Sequence, residues 1–189
     1  MTRHRWFVFF AVVGLVACAS IARAQSGATK SDVMSNAITQ TWQEVRLNIK
    51  ESADQMPESD YGFRPTPEVR TFGQILAHVA GINYAFCAAA RGEKSSHAED
   101  EFEKTAKTKA QIVKGLNDSL AYCDTAYNAL TDARAVELVT QPFGTSQGAR
   151  ALPLLSNTAH LNEHYGNLVT YFRLRRIVPP STRRETQQR

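Results

Sequence analysis

The chain has 189 residues, of which 43% are hydrophobic and 21% are charged, and its formal net charge is +4. This length suits one domain, and the composition is ordinary for a soluble globular protein. It excludes a multi-span membrane protein, a collagen-like chain and a largely disordered one.

The first 24 residues are typical of a secretory signal peptide. Residues 2–5 form a short basic start, residues 6–17 form an apolar run, and residues 22–24 read Ala-Arg-Ala, a small-x-small cleavage site. The run is shorter than the about 20 residues that a transmembrane helix needs. We therefore expect an exported protein, periplasmic or secreted, with no membrane span after cleavage and a polar lead over residues 25–30.

A second interpretation of this segment stays open. Residues 15–18 read Leu-Val-Ala-Cys and resemble a bacterial lipobox, in which Cys18 would be lipidated and would anchor the protein. Cleavage after Ala24 is favoured because Ala-Arg-Ala is the cleaner site. Both interpretations place the protein outside the cytoplasm.

Removing the signal peptide changes the charge balance. It takes away three arginines and no acidic residue, so 19 of the 22 basic residues remain against 18 acidic ones, a net charge of +1. A basic surface for nucleic acid is therefore not expected. Arginines concentrate near the C-terminus, where residues 181–189 are predicted to form a basic polar tail.

Four segments have the apolar periodicity of helices, at about residues 31–55, 71–91, 105–130 and 150–176. Thr71 and Gln74 have the spacing of a capping box at the start of the second. Strand signals are nearly absent. Helices of roughly 20–27 residues joined by loops of about 10–20 predict an all-α, four-helix bundle over residues 31–180.

Cys87 and Cys123 are predicted to be buried free thiols. Cys87 lies near the end of the second predicted helix, and Cys123 lies deep in the third. If these helices are antiparallel, the two residues differ in height by roughly 15–20 Å at about 1.5 Å per residue. A disulfide needs Cα atoms within about 7 Å of each other.

Three histidines lie on inward helical faces. His78 lies at the edge of the apolar arc of the second helix, while His160 and His164 lie inside the arc of the fourth, one turn apart. A lone histidine on such a face is more often a hydrogen-bonded core residue. Burying three unpaired imidazoles would cost on the order of a few kcal/mol each, and a metal ion would remove that cost. The pattern therefore favours one divalent metal site.

Residues 160–164 also fit the His-x-x-Glu-His string of inverted zinc proteases. The match is weak, because a small bundle offers no further ligand and no substrate cleft. Glu163 is rotated by about 60° from the inward face. We expect Glu163 and Asn162 at most to hydrogen-bond to the metal-ligating histidines. The alternative for Glu163 is a solvent-exposed carboxylate with no role at the site.

Two segments carry a family resemblance. Residues 61–78, Tyr-Gly-Phe-Arg-Pro-Thr-Pro-Glu-Val-Arg-Thr-Phe-Gly-Gln-Ile-Leu-Ala-His, and residues 160–171, His-Leu-Asn-Glu-His-Tyr-Gly-Asn-Leu-Val-Thr-Tyr, resemble the DinB-like metal-binding bundle superfamily. Its fingerprint is one histidine on the second helix and His-x-x-x-His on the fourth. The resemblance implies an unusual helix connectivity and a three-histidine site for nickel, zinc or iron.

The resemblance also bears on function. Family members with known activities include thiol-dependent transferases and isomerases, but most members are cytoplasmic, so the export signal puts a cytoplasmic thiol cofactor in doubt. Three imidazoles leave an open coordination position, as in catalytic zinc sites.

The sequence thus predicts a metal-dependent hydrolase or thiol/group transferase with a small-molecule substrate. A non-catalytic metal-binding or structural bundle is the alternative. The sequence identifies no general base, and it leaves open both the identity of the metal and whether the chain forms a homodimer.

Overall fold

The computed structural model describes residues 32–188, and the predicted signal peptide and polar lead lie outside them. The described part consists of four long helices, three short ones, one 3-10 turn and one small β-hairpin. In chain order the elements are α1 Val33–Gln55, the 3-10 turn Glu58–Asp60, α2 Phe72–Arg91, α3 Glu101–Thr105, α4 Lys109–Asn128, α5 Asp132–Ala135, β1 Leu138–Thr140, β2 Gln147–Ala149, α6 Ala151–Leu174 and α7 Pro180–Gln187.

The four long helices form a bundle, as predicted. Both α1 and α2 pack on α4 and α6. Trp42 of α1 and Tyr127 of α4 stack at the centre with ring centroids 4.4 Å apart. The α2 helix is long and apolar enough to cross a membrane, but most of its apolar stretch is buried inside the bundle. The fully buried core side chains include Trp42, Phe72, Leu76, Leu116, Leu120, Tyr127, Leu154, Leu161, Leu168 and Phe172.

The α2 and α4 helices run parallel rather than antiparallel. Asn83 contacts Ser119, and one turn further on Cys87 meets Cys123, so the contacts advance together along both helices. Two consecutive helices can be parallel only if the chain between them returns to the starting end. Residues 92–108, which include α3, make that return.

The prediction of free thiols is wrong, because Cys87 and Cys123 form a disulfide with their Cα atoms 5.3 Å apart. The predicted difference in height assumed antiparallel helices. Since α2 and α4 are parallel, and each cysteine lies near the C-terminal end of its helix, the two reach the same level of the bundle. Both cysteines are fully buried.

Local sequence signals fix both ends of α2. The Thr71 hydroxyl accepts a hydrogen bond from the Gln74 backbone N–H, and the Gln74 side chain accepts one from the Thr71 N–H, which confirms the predicted capping box. At the other end Gly92 adopts a left-handed conformation with φ of 77°, as a helix C-terminus favours. These two ends set the length of α2, the helix that carries His78.

Three shorter elements differ from the sequence prediction. The third long helix begins at Lys109, because α3 is a separate turn, and a β1–β2 hairpin forms where only an irregular stretch was predicted. Most of the segment predicted as a basic tail forms α7. This helix is held on α1 by ion pairs from Arg183 and Arg184 to Glu51.

Candidate metal centre

The three predicted histidines meet between α2 and α6. His160 Nε2 lies 3.2 Å from His78 Nε2 and 3.0 Å from His164 Nε2. One nitrogen of each ring lies within 4.8 Å of those of the other two. His164 is buried, while His78 and His160 are half-buried. The i, i+4 spacing on α6 and the antiparallel packing of α2 thus bring three imidazoles to one point.

These distances are compatible with a shared metal ion, and the number of protons on the rings favours one over a hydrogen-bonded cluster. Two nitrogen ligands at about 2.05 Å from a zinc ion lie about 3.3 Å apart at a tetrahedral angle. A neutral imidazole carries a single N–H. With the His78 proton assigned to Nδ1, His160 Nε2 can form a full hydrogen bond in only one of its two contacts. A divalent cation would instead accept a lone pair from all three rings.

Glu103 is the carboxylate partner of the cluster. Its Oε1 lies 3.1 Å from His78 Nδ1, and its Oε2 accepts a hydrogen bond of 3.0 Å from Arg70 Nε. A carboxylate on the far nitrogen of a histidine fixes the tautomer and leaves the Nε2 lone pair for a metal. His160 Nδ1 and His164 Nδ1 are buried and have no partner among the described residues. Glu103 therefore orients His78 alone.

The environment keeps the histidines neutral. Burial, together with His164, His78 and Arg70, lowers the pKa of His160 to about 3. Burial, His78 and Arg70 lower the pKa of His164 to about 4, although Glu103 opposes the shift. Burial and Arg70 also lower the pKa of His78, against the effect of Glu103. Neutral imidazole is the form that binds a metal, so at pH 7 protons compete only weakly for the nitrogens of these rings.

Two close approaches hold α3 against the bundle and so place Glu103. A Cβ atom on Gly115 of α4 would lie 2.6 Å from the Phe102 ring, and one on Gly81 of α2 would lie 2.0 Å from the Glu99 carbonyl oxygen. Glycine at these two positions lets the return segment dock closely. Glu103 follows Phe102 directly, so the docked ring determines the position of the carboxylate.

Sequence reasoning named different supporting residues. Asn162 and Glu163 are exposed, and among the described residues neither hydrogen-bonds to the three histidines. Sequence analysis missed Glu103 because this residue is one of several acidic residues between the second and third predicted helices. That segment was predicted to be a loop without a role at the site. The one available signal was Phe102, an isolated aromatic residue that marks where this acidic stretch packs.

A cavity of about 680 Å³ opens beside the histidines. Its wall includes His164 together with Arg70, Glu163 and Tyr171. A larger cavity, of about 800 Å³, lies beside the hairpin and has none of the three histidines in its wall. Phe86 packs against His160 and against Phe143 of this wall, with its ring centroid 6.2 Å from that of His160 and 5.6 Å from that of Phe143. The smaller cavity is therefore the one that reaches the histidine cluster, through His164.

Solved structures share this fold. A DinB-like protein from Bacillus cereus matches with a TM-score of 0.65 and 14% identity, over 77% of this chain and 95% of that one. A conserved protein from Enterococcus faecalis matches with a TM-score of 0.58 and 15% identity, over 75% and 96%. A mycothiol-dependent maleylpyruvate isomerase matches with a TM-score of 0.59 and 15% identity, over 71% of this chain and 60% of the isomerase.

Sequence comparison gives the family. No curated protein matches the sequence. The sequence profile of the DinB superfamily matches residues 40–168, which contain the three clustered histidines and the two cysteines of the disulfide. The match covers well over half of the chain, from the middle of α1 to near the end of α6. This chain belongs to the DinB superfamily.

Proposed function

We propose that this protein is an exported metal-dependent enzyme that uses a three-histidine centre, with water as the attacking group. The observation that carries the proposal is the convergence of His78, His160 and His164 beside a cavity of about 680 Å³. Three protein ligands leave a coordination position open, and a cavity gives a substrate access to it. A purely structural metal site would be closed by a fourth protein ligand.

The chain's own residues have separable roles in this proposal. The three imidazoles would hold a zinc, nickel or iron ion through their Nε2 lone pairs, and Glu103 keeps the His78 proton on Nδ1. A divalent ion held there supplies Lewis-acid activation of a water molecule or a substrate oxygen. Burial of the imidazoles keeps them unprotonated, so protons compete weakly for the site.

Two features support an extracytoplasmic location. The first 24 residues have the pattern of a signal peptide, and Cys87 is paired with Cys123. Structural disulfides persist in oxidising compartments and are rare in the cytoplasm. An exported enzyme has no access to a cytoplasmic thiol pool, which favours hydrolysis over thiol transfer.

Thiol-dependent chemistry is the second candidate. The structural similarity to a mycothiol-dependent isomerase supports it, because that protein uses a thiol on the same fold. In this case a thiol would occupy the open position in place of water. A non-catalytic metal-binding bundle is the third possibility, and the cavity beside His164 disfavours it.

The test is an activity that follows metal content. Metal-stripped protein is reloaded stepwise with zinc, nickel or iron(II) and assayed with chromogenic esters, and in parallel with a small thiol plus a chromogenic electrophile. We expect ester hydrolysis to rise in proportion to bound metal and to vanish in His160→Ala. Turnover only with thiol would select the transferase. If metal binds but neither reaction follows it, the protein is a non-catalytic metal-binding bundle.

A further inference from the structure

Arg70 is held in place from two sides next to the proposed metal centre. It precedes the N-cap of α2, and its backbone carbonyl accepts a hydrogen bond of 2.6 Å from the Tyr171 hydroxyl of α6. Its Nε donates to Glu103, which in turn contacts His78. Helices α3 and α6 thus fix both the backbone and the side chain of this arginine.

The outer edge of the Arg70 guanidinium is available to a ligand. Among the described residues, only Nε has a hydrogen-bond partner, so the two terminal nitrogens and their four N–H groups have none. The side chain is 45% exposed. Arg70 and His164 both line the cavity of about 680 Å³, so a molecule in that cavity can contact the guanidinium and lie against His164 at the same time.

The charges next to the site leave a place for an anion. A guanidinium beside a divalent cation is repelled by it, which weakens metal binding unless negative charge lies nearby. Glu103 offsets one positive charge, and its two oxygens are already shared between Arg70 and His78. Glu68 and Glu163 also line the cavity, but among the described residues neither is paired with Arg70. An anionic ligand between Arg70 and the metal would contact both positive groups directly.

The geometry points to a small carboxylate as the ligand: we propose that Arg70 binds the carboxylate of a substrate whose neighbouring oxygen reaches the open metal position. This proposal rests on the proposed function and specifies its substrate class. A planar guanidinium edge matches a carboxylate through two parallel hydrogen bonds. Arg70 is in this account a specificity residue rather than a metal ligand.

The rest of the cavity wall narrows the class further. Glu68 and Glu163 also line it, and Val69 and Ile75 add apolar surface. Two carboxylates in the wall repel a second anionic group, which disfavours dicarboxylates and phosphorylated compounds. The volume is within the range of small-molecule sites, about 300–1,000 Å³. The expected substrate therefore has a single carboxylate and a neutral or cationic remainder.

The experiment compares two matched probes on cobalt-loaded protein. Glycolate and glycolamide have nearly the same shape, but only glycolate is charged. Each is titrated into the Co²⁺-loaded protein, and its dissociation constant is read from the visible absorption of the cobalt. In Arg70→Gln, glycolate should bind about tenfold more weakly while glycolamide changes little, because a charged hydrogen-bond partner is lost. Arg134→Gln, which removes an arginine at the other end of the bundle, should leave both constants unchanged.

The outcomes separate this proposal from the metal centre itself. If Arg70→Gln binds cobalt normally and keeps the parent's ratio of glycolate to glycolamide affinity, the proposal is wrong although the metal centre stands. If the parent protein takes up no cobalt, the metal centre and this proposal both fail. Arg70→Lys keeps the charge but not the planar edge, so it should retain part of the preference for glycolate and the full cobalt spectrum.

Discussion

Two clusters lie along the same helix α2 and differ in what they can do. Near His78, buried and half-buried imidazoles from α2 and α6 converge beside a cavity, and they carry too few protons to make every contact among them a full hydrogen bond. At Cys87, nine residues further along, a buried disulfide joins α2 to α4. The first cluster faces a cavity through His164, whereas the second is sealed and covalent. The difference indicates that one end of the bundle is built to bind and the other to hold the helices together.

The disulfide cluster is polar as well, but its polar groups are enclosed. The Asn157 amide nitrogen lies 3.8 Å and 3.7 Å from the sulfur atoms of Cys87 and Cys123 and also approaches the Tyr127 hydroxyl. Asn157 is fully buried. No cavity wall described above includes these groups, so burial alone does not make a binding site. The convergence of lone pairs and the access to solvent distinguish the histidine cluster.

The largest expected effect is on metal binding. His160→Ala removes the central ring, which contacts both of the other histidines, and should abolish stoichiometric uptake of zinc or cobalt. The disulfide and the fold should be unaffected. Equilibrium dialysis with metal analysis measures the uptake, and far-UV circular dichroism checks the fold. His97→Ala is the matched control, because His97 pairs with Glu101 outside the cluster. Equal uptake by His160→Ala and the parent would contradict the site.

The complementary change removes the disulfide. Cys87→Ala combined with Cys123→Ala should lower the free energy of unfolding by about 4 kcal/mol, because the bridge closes a long loop in the unfolded chain. Urea denaturation of the metal-free protein measures the loss. The metal dissociation constant, measured under native conditions, should stay within about threefold. A decrease of less than about 1 kcal/mol in the free energy of unfolding would show that the disulfide contributes little to stability. A large loss of metal affinity would show that the two clusters do not act independently.

A smaller effect on metal affinity is expected from a change at Glu103, the carboxylate that contacts His78. Glu103→Gln keeps the shape of the side chain but removes its charge, and it should weaken metal binding by about 10–100-fold, as is usual for a carboxylate that orients a ligating histidine. Competition with a chelating dye measures the change. Glu101→Gln is a suitable control, since this acid lies on the same short helix but contacts His97. Equal affinity for both variants would show that Glu103 does not orient His78.

The smallest predicted effect tests how α3 is placed. Gly115→Ala puts a methyl group where the Phe102 ring lies and should displace α3, and Glu103 with it. Metal affinity should fall by less than in Glu103→Gln, because the charge stays in the molecule. The free energy of unfolding, measured by urea denaturation, should change little. The reason is that the gain in helix propensity, roughly 1 kcal/mol, offsets the packing lost around Phe102. Unchanged metal affinity would mean that Glu103 is positioned without Phe102.

The sequence predicted the parts of the structure that local periodicity determines. The three histidines follow from apolar spacing at 3.6 residues per turn, and the start of α2 follows from the Thr71 capping box. Periodicity predicted a four-helix bundle, but only the resemblance of two segments to a known family predicted that the bundle is DinB-like.

Features that depend on topology were missed. Whether Cys87 faces Cys123 depends on whether α2 and α4 are parallel, and no local pattern encodes that direction. The role of Glu103 likewise depends on where the return segment crosses the bundle. The β1–β2 hairpin and α7 are short, and each is stabilised by contacts with distant parts of the chain, as in the pairing of Arg183 with Glu51.

The central claim is that the three histidines hold one divalent ion, and metal analysis of the native protein tests it most directly. Protein purified without chelators or a histidine tag should contain about one zinc, nickel or iron ion per chain by mass spectrometry. After stripping, it should take up one equivalent of cobalt, which His160→Ala should not. Metal far below one equivalent, combined with no cobalt uptake by the stripped parent protein, would contradict the account.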